Sequence, residues 1–561
     1  MLPYFVIVPL IIGVFLYVFS SAKAARVLAI AAQAVVAGFA VYLFFETKHG
    51  DIVTYIGNYE SVLGIVLIAD PVSSVFVSLT AFSFLIAAIY CLNDDMGKLF
   101  WFLMFVWQGL LIGVFLTRDL FNVFVLMEVA TVVVSVLIMY NRNSRSMYDG
   151  MFYLMTGIIA MQFYLFGVGF VYRLTGVLDI DAAAAVLAEL PAYSQALPFA
   201  LIMTGIALKC AILPLFSWLP KAHGTPSAPP AVSALLSGVY IKCGVYLFMR
   251  ISPMFSTIDA SDFFLTFGII TGIAGFLLAM SQSDIKLILA YHTVSQVGLI
   301  ITGLSIGYSY SYIGALYHAI NHALFKSALF LSAGIIIKVY GTRDVYNIRG
   351  VLRRFPIVGA ATILAVLGIT GAPLMNGSIS KYFIMFGTGW YITALLILIN
   401  LGTIVSFIKY SSMLFGRYEA VGGKAAAEGV GVIGAATLKA AQAKAGMVSV
   451  WGERDTGKLK VPISKQVAVL TLGVLCFAGG IFGAQFIEFL FNVRLSVDPA
   501  GYIEKTGIFI ASLLAGYFAY EYYVRKSGLL KRIHGIDLGF RATCISLGGF
   551  FGVILIVVGF F

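Results

Sequence analysis

Apolar residues run through this chain in blocks of about 20, the length a helix needs to cross a bilayer core, and the blocks are separated by short polar connections. The blocks predict spans near 2–21, 25–46, 70–92, 98–117, 119–140, 147–172, 195–219, 226–250, 261–281, 285–306, 311–339, 357–387, 390–415, 465–491, 504–524 and 541–560. That is an all-α polytopic membrane protein with about sixteen transmembrane helices. Residues 2–21 lack the basic flank and small-residue cleavage site of a signal peptide and read as a retained first helix. Two stretches break the pattern. Residues 179–190 (DIDAAAAVLAEL) read as a short amphipathic helix on the outer surface, and the Gly- and Ala-rich residues 416–464 as a cytoplasmic or interfacial docking segment.

Composition agrees with this pattern. The chain is 61% hydrophobic and only 11% charged, with a mean hydropathy of +0.99, which excludes a soluble core protein. Lys and Arg should collect in cytoplasmic connections. With the N-terminus outside, the inner connections hold Lys23, Arg26, Lys98, Arg142, Arg145, Lys221, Lys286 and the cluster from Lys338 to Arg354, roughly 25 of the 36 basic residues in all. The net charge of +11 is therefore a topology signal and not a nucleic-acid footprint. Cys91, Cys210, Cys243, Cys476 and Cys544 are scattered, with no iron–sulfur or zinc spacing, and no P-loop is present. The chain is expected to hold no cofactor or metal and to hydrolyse no nucleotide.

The chemistry lies in polar residues inside the apolar blocks. Glu128, Lys209, Lys242, Lys326 and Lys381 would each cost roughly 2.5–3.5 kcal/mol at a helix centre, on the order of 10 kcal/mol together if unpaired. Two spans are also interrupted: Pro214 and Pro220 break the first, and Gly371, Pro373 and Gly377 break the second. Irregular backbone at membrane depth survives only where protein or a watery cavity satisfies it, and paired broken helices point to a transport site. Lys209 precedes the first break and Lys381 follows the second; the alternative is a pair of mere packing kinks. His318, His322 and Lys326 recur every fourth residue and share one helix face, a spacing suited to passing protons. His292 either extends that line or packs at an interface. Glu128 reads as the charge partner of a neighbouring lysine, either a working pair or a static one. Asp70 reads as a helix cap, and Lys409 as a lysine that snorkels to the inner surface.

These residues carry a resemblance. Glu128, ALKCAILPLFSWLPKAH, APPAVSALLSGVYIKCGVYLFMR, SDIKLILAYHTVSQVG, ALYHAINHALFKSALFLSAG and GAPLMNGSISKYF, spread over roughly residues 65–415, resemble the antiporter-like subunits. That family comprises the large subunits of Mrp-type Na⁺/H⁺ antiporters, respiratory complex I and membrane-bound energy-converting hydrogenases. The resemblance implies two inverted five-helix repeats, 98–250 and 261–415, each with a broken helix, between N-terminal helices (1–97) and C-terminal helices (465–561). It implies that Glu128 pairs with Lys209, that Lys242 connects, that His318, His322 and Lys326 form the central relay, and that Lys381 stands near the exit.

The chain departs from the family in the second repeat, which has no carboxylate matching Glu128; His292 is the nearest titratable group. The Met375-Asn376-Gly377-Ser378 break leans toward the hydrogenase-like and respiratory branch. Three functions remain open on the residues. The chain is an ion-translocating subunit of a multisubunit complex in the cell membrane, redox-driven with iron–sulfur partners or an Mrp antiporter moving H⁺ and Na⁺; it is a stand-alone secondary transporter; or it is a structural subunit. Four membrane lysines argue against the last, and the lack of a substrate-pocket signature against the second.

Overall fold

The computed structural model describes residues 1–59, 64–417 and 460–560, so most of the expected docking segment 416–464 lies outside the described residues. The chain begins with α1 (Leu2–Phe19) and α2 (Ala22–Glu46), then an antiparallel hairpin of β1 (Ile52–Tyr55) and β2 (Val66–Ala69) that the hydropathy pattern did not foresee. The first half continues with α3 (Pro71–Cys91), α4 (Lys98–Leu116), α5 (Leu120–Ile138), α6 (Ser144–Thr175), α7 (Ile180–Ala188), α8 (Ala192–Lys209), α9 (Pro230–Leu235) and α10 (Ile241–Ile251). Then come α11 (Ser261–Ser281), α12 (Ile285–Ser305), α13 (Ser309–Tyr340), α14 (Val351–Arg354), α15 (Pro356–Thr370), α16 (Asn376–Ile384) and α17 (Trp390–Ser411). Past residue 460 lie α18 (Ile463–Ile481), α19 (Gly483–Phe491), α20 (Pro499–Tyr522), α21 (Gly528–Ile533) and α22 (Phe540–Phe560).

Among the described residues, thirteen helices are long and apolar enough to cross a membrane, and the chain is a multi-pass membrane protein. The other three expected spans fall on α8, on the interrupted pair α15 and α16, and on α20, which carries Glu504, Lys505 and Glu521. The block 465–491 is two helices, not one. It bends where the second break presses on it: a Cβ on Gly480 would collide with the Leu374 carbonyl oxygen, so only glycine lets the two backbones touch.

The two long helices are framed alike. Asp119 bridges to Asp179 across α6, and Asp284 to Asp344 across α13. Asp119 and Asp284, Asp179 and Asp344, Ser144 and Ser309, and Gly176 and Gly341 each stand 165 positions apart. Each long helix has 32 residues and ends on a left-handed glycine, at φ 74° for Gly176 and 67° for Gly341. Asp119, Asp179 and Asp284 also cap the helices that follow them, so one residue type closes both backbone ladder and helix end.

Asp70 is the cap the sequence suggested, and more. Its carboxylate accepts from the Ser73 N–H at 2.7 Å and forms ion pairs with Arg118 at 2.7 Å and Arg250 at 2.5 Å. Burial works to raise its pKa, but Arg250, the Ser73 N–H and Arg118 together hold it below the usual carboxylate value. A depressed folded pKa contributes stability above the unfolded value of 3.8, lost as pH falls through the folded one. Asp70→Asn, which keeps the cap, should lower thermal stability in detergent by about 3 kcal/mol at pH 7. The difference from wild type should shrink as pH falls below 3.8 and through the lower folded pKa, as thermal melts over a pH series would register.

Candidate functional site

Both helix breaks use one turn. At the end of α8, Ala211 takes φ 55°, its N–H bonds to the Leu208 carbonyl and the Ile212 N–H reaches back to Ala207 at 3.0 Å. At the end of α15, Gly371 takes φ 75°, its N–H bonds to Gly368 and the Ala372 N–H to Leu367 at 2.9 Å. This double back-bond stops a helix by itself. The first span therefore ends at Lys209, ahead of Pro214 and Pro220, which hold the segment that follows away from helix; Pro220 opens a π-turn, Pro220–Gly224. In the second, Gly371 stops the helix and Pro373 lies in the turn. Gly377 presses its backbone onto the Gly368 carbonyl oxygen, where any Cβ would collide.

Lys209 is thus the last helical residue, buried where the helix dipole favours a cation. Its Nζ donates to Thr131 Oγ1 at 2.8 Å, and Thr131 lies 3.4 Å from the Tyr240 hydroxyl, which accepts from Tyr153 at 2.7 Å. Glu128, one turn before Thr131 on α5, is half-buried. It feels the Lys209 charge but does not touch it, and its Oε2 has no protein partner. The expected Glu128–Lys209 contact pair is instead a spaced pair with Thr131 as the lysine's direct partner.

A second group is centred on α13. Lys242 follows a π-turn, Leu236–Tyr240, and its Nζ donates to the Ser237 carbonyl at 2.7 Å and contacts His322 Nδ1. Lys326, fully buried, donates to the Leu289 carbonyl at 2.6 Å. His318 faces Gln296 Oε1 at 3.0 Å through Nε2 and Ser380 Oγ at 2.9 Å through Nδ1. The histidine face therefore fans out to three different elements.

The third group surrounds the residue after Ser380. Lys381 Nζ donates to the Ile369 carbonyl, which α15 leaves unpaired at its end, and to Asn400 Oδ1, both at 2.7 Å. It lines a cavity of about 40 Å³ shared with Tyr382, Asn400 and Lys505, and a smaller one shared with Gln296, the partner of His318. The three groups follow one sequence of elements, and among the described residues no direct bond spans the steps from Tyr240 to Lys242, from His322 to Lys326 or His318, or from Ser380 to Lys381.

One expectation needs correction, and three further residues need placing. Lys409 does not reach solvent: it is 2% exposed, and its Nζ donates at 2.6 Å to both the Met280 and Gln282 carbonyls at the end of α11. Lys221 and Lys286, placed by the sequence in inner connections, are 2% and 3% exposed: Lys221 bonds Asp537 and the Leu538 carbonyl, and Lys286 the Ala228 carbonyl just past the first break. His292 makes no direct bond to that line: its ring lies 4.9 Å from Phe407, and both nitrogens are without a protein partner. Sequence reasoning also missed Thr131, Gln296 and Ser380. Their signal was present: each lies three residues, four residues or one residue from an assigned group, Glu128, His292 and Lys381 respectively. His223, in LPKAHG, and the buried Asp149 went unassigned as well.

Residues 117–408 match the family described as NADH:quinone oxidoreductase/Mrp antiporter, TM. A Na(+)/H(+) antiporter subunit of Alkalihalophilus pseudofirmus is 30% identical over 72% of this chain and 84% of its own length. A NADH-quinone oxidoreductase subunit of Desulforudis audaxviator is 31% identical over 77% of this chain and 85% of its own. A chain of the Mrp complex from Dietzia sp. DQ12-45-1b shares the fold with a TM-score of 0.75 at 22% identity, covering 95% of this chain and 99% of that one.

The Lys409 geometry has a direct consequence. Lys409→Ala strands the carbonyls that end α11 in a buried site, and thermal melts should show a loss of about 1–3 kcal/mol. A melt matching wild type would remove Lys409 as the cap of that helix.

Proposed function

The chain belongs to the NADH:quinone oxidoreductase/Mrp antiporter family, and on that premise we propose that protons cross it along the three clusters between its helix breaks. It is an antiporter-like subunit of the kind that serves Mrp antiporters and complex I-like assemblies. The observation that carries the proposal is the setting of Lys209, Lys242, Lys326 and Lys381. All four are buried, and none has a carboxylate within salt-bridge range among the described residues. Hydroxyl, amide and carbonyl oxygens support an ammonium but do not hold it as a carboxylate in contact would, so each lysine can lose and regain its proton.

In this reading Glu128 and Lys209 form the first station, Lys242, His322, Lys326 and His318 the middle, and Lys381 the last, beside its cavity. His292 lines the route without a bond. The matched Asp bridges, long helices and breaks support two repeats, 98–250 and 261–415. Basic residues at one set of connections support an N-terminus outside the cell membrane. Glu128 borders an apolar face of α5 on which Phe121, Val125, Val129 and Val132 are 39–46% exposed, a surface suited to another membrane subunit.

We favour a redox-driven complex, supported by the respiratory relative and the Asn-Gly form of the second break. The antiporter relative supports a second reading, an Mrp-type complex exchanging Na⁺ for H⁺. Blue-native electrophoresis of the tagged complex separates them: iron–sulfur subunits favour the first reading, and small hydrophobic subunits alone the second.

Glu128→Gln should remove most transport while leaving the complex assembled, because it deletes a charge and keeps the shape. ΔpH formation in inverted vesicles, normalised to assembled complex, measures this; near-wild-type pumping would refute the first station. By the same assay Lys381→Ala should abolish turnover. A silent Lys381→Ala would mean that the second break is not on the route.

A further inference from the structure

A polar cavity of about 240 Å³ lies off the route, between the first helix break and the last connection of the chain. Ser217, Lys221, Thr225, Gln282, Tyr291 and Asp537 are among its walls. The connection crosses from one half of the molecule to the other: α20 packs on α17, α21 on α11 and α22 on α8. Few polar contacts tie it down. His534 Nδ1 meets the Ser281 carbonyl at 2.9 Å, and Ser217 Oγ meets Thr543 Oγ1 at 2.8 Å. The remaining tie is electrostatic. Lys221, with a side chain 3% exposed, forms an ion pair with Asp537, whose side chain is 62% exposed, and donates to the Leu538 carbonyl at 3.1 Å.

This pairing is unequal. A buried cation in a helix break relies on one carboxylate that stands largely in water, on a stretch where residues 534–537 are exposed. Once water reaches Lys221 as well, the attraction falls and the connection loses a polar tie at this cavity. Behind Lys221 the polar trail continues. Thr225 Oγ1 lies 3.0 Å from the Lys221 carbonyl and 2.7 Å from Asp149 Oδ2, and Asp149 is fully buried with Oδ1 lacking a protein partner.

We propose that the connection 523–539 is a gate over this cavity, latched by Asp537 on Lys221, and that its release admits water and ions to the first helix break. The proposal rests on the ion-translocation reading above, and the test keeps the two separable. Ser217→Cys places a reporter thiol on the cavity wall in a Cys544→Ser background; the other four cysteines are buried. The intact complex in membranes is labelled with a membrane-impermeant maleimide from each face, and transport is measured in parallel.

Adding Asp537→Asn should raise the labelling rate about fivefold or more, from one face only, and change normalised transport by a similar factor. The exchanged pair Lys221→Asp with Asp537→Lys, which restores the attraction, should return labelling toward the slow rate and shows that the effect is not misfolding. An unchanged labelling rate in Asp537→Asn, or fast labelling with wild-type transport, overturns the gate. Absence of transport in wild type as well would instead count against the ion-translocation reading, while the labelling ratio still decides whether the latch exists.

Discussion

Lys209, Lys242, Lys326 and Lys381 each rest on an acceptor without formal charge, and the rest of the structure is arranged to supply such acceptors at membrane depth. Regular helices supply two of them, the Leu289 carbonyl of α12 for Lys326 and the Thr131 hydroxyl of α5 for Lys209; the others come from irregular backbone. In the π-turn Leu236–Tyr240 the Ser237 oxygen accepts from Lys242, and the end of α15 frees the Ile369 oxygen for Lys381. Lys409 applies the same solution at the end of α11, where it serves packing. The helix breaks therefore do two things at once: they stop a span in the bilayer, and they provide the oxygens that make a lysine tolerable there.

The scaffold repeats more faithfully than the chemistry. With the 165-residue offset of the long helices, Thr131 corresponds to Gln296 and Glu128 to Thr293. Thr131 accepts from Lys209 and Gln296 from His318, so a neutral polar residue positions the titratable group in both halves. Thr293 instead bonds the hydroxyl of Ser237, the π-turn residue whose carbonyl accepts from Lys242. The second half thus lacks an acid at the position where the first has Glu128, and the load there falls on histidine and carbonyl oxygen.

Much of this was legible in the sequence. Twenty-residue apolar blocks announce helices because the bilayer fixes their length, and a lysine in such a block stands out because its cost must be met. Glu128, the four lysines, His318 and His322 were found in that way, and so were both breaks. What stayed hidden depends on distance through space. Whether Lys409 snorkels or caps a helix end is decided by where α11 stops, which no local pattern around Lys409 reveals. That Lys209 bonds Thr131 and not Glu128 depends likewise on how α5 and α8 meet. Asp537 gave no signal at all, since its partner lies 316 residues away.

The uncharged setting of the lysines also has an electrical meaning. A proton on Lys242, Lys326 or Lys381 is not cancelled by a neighbouring carboxylate, so it counts as a net charge within the membrane. One elementary charge moved across 100 mV is worth about 2.3 kcal/mol, more than the tenfold step of about 1.4 kcal/mol. On the proposed route, the membrane potential would therefore act on the proton occupancy of each lysine according to its depth.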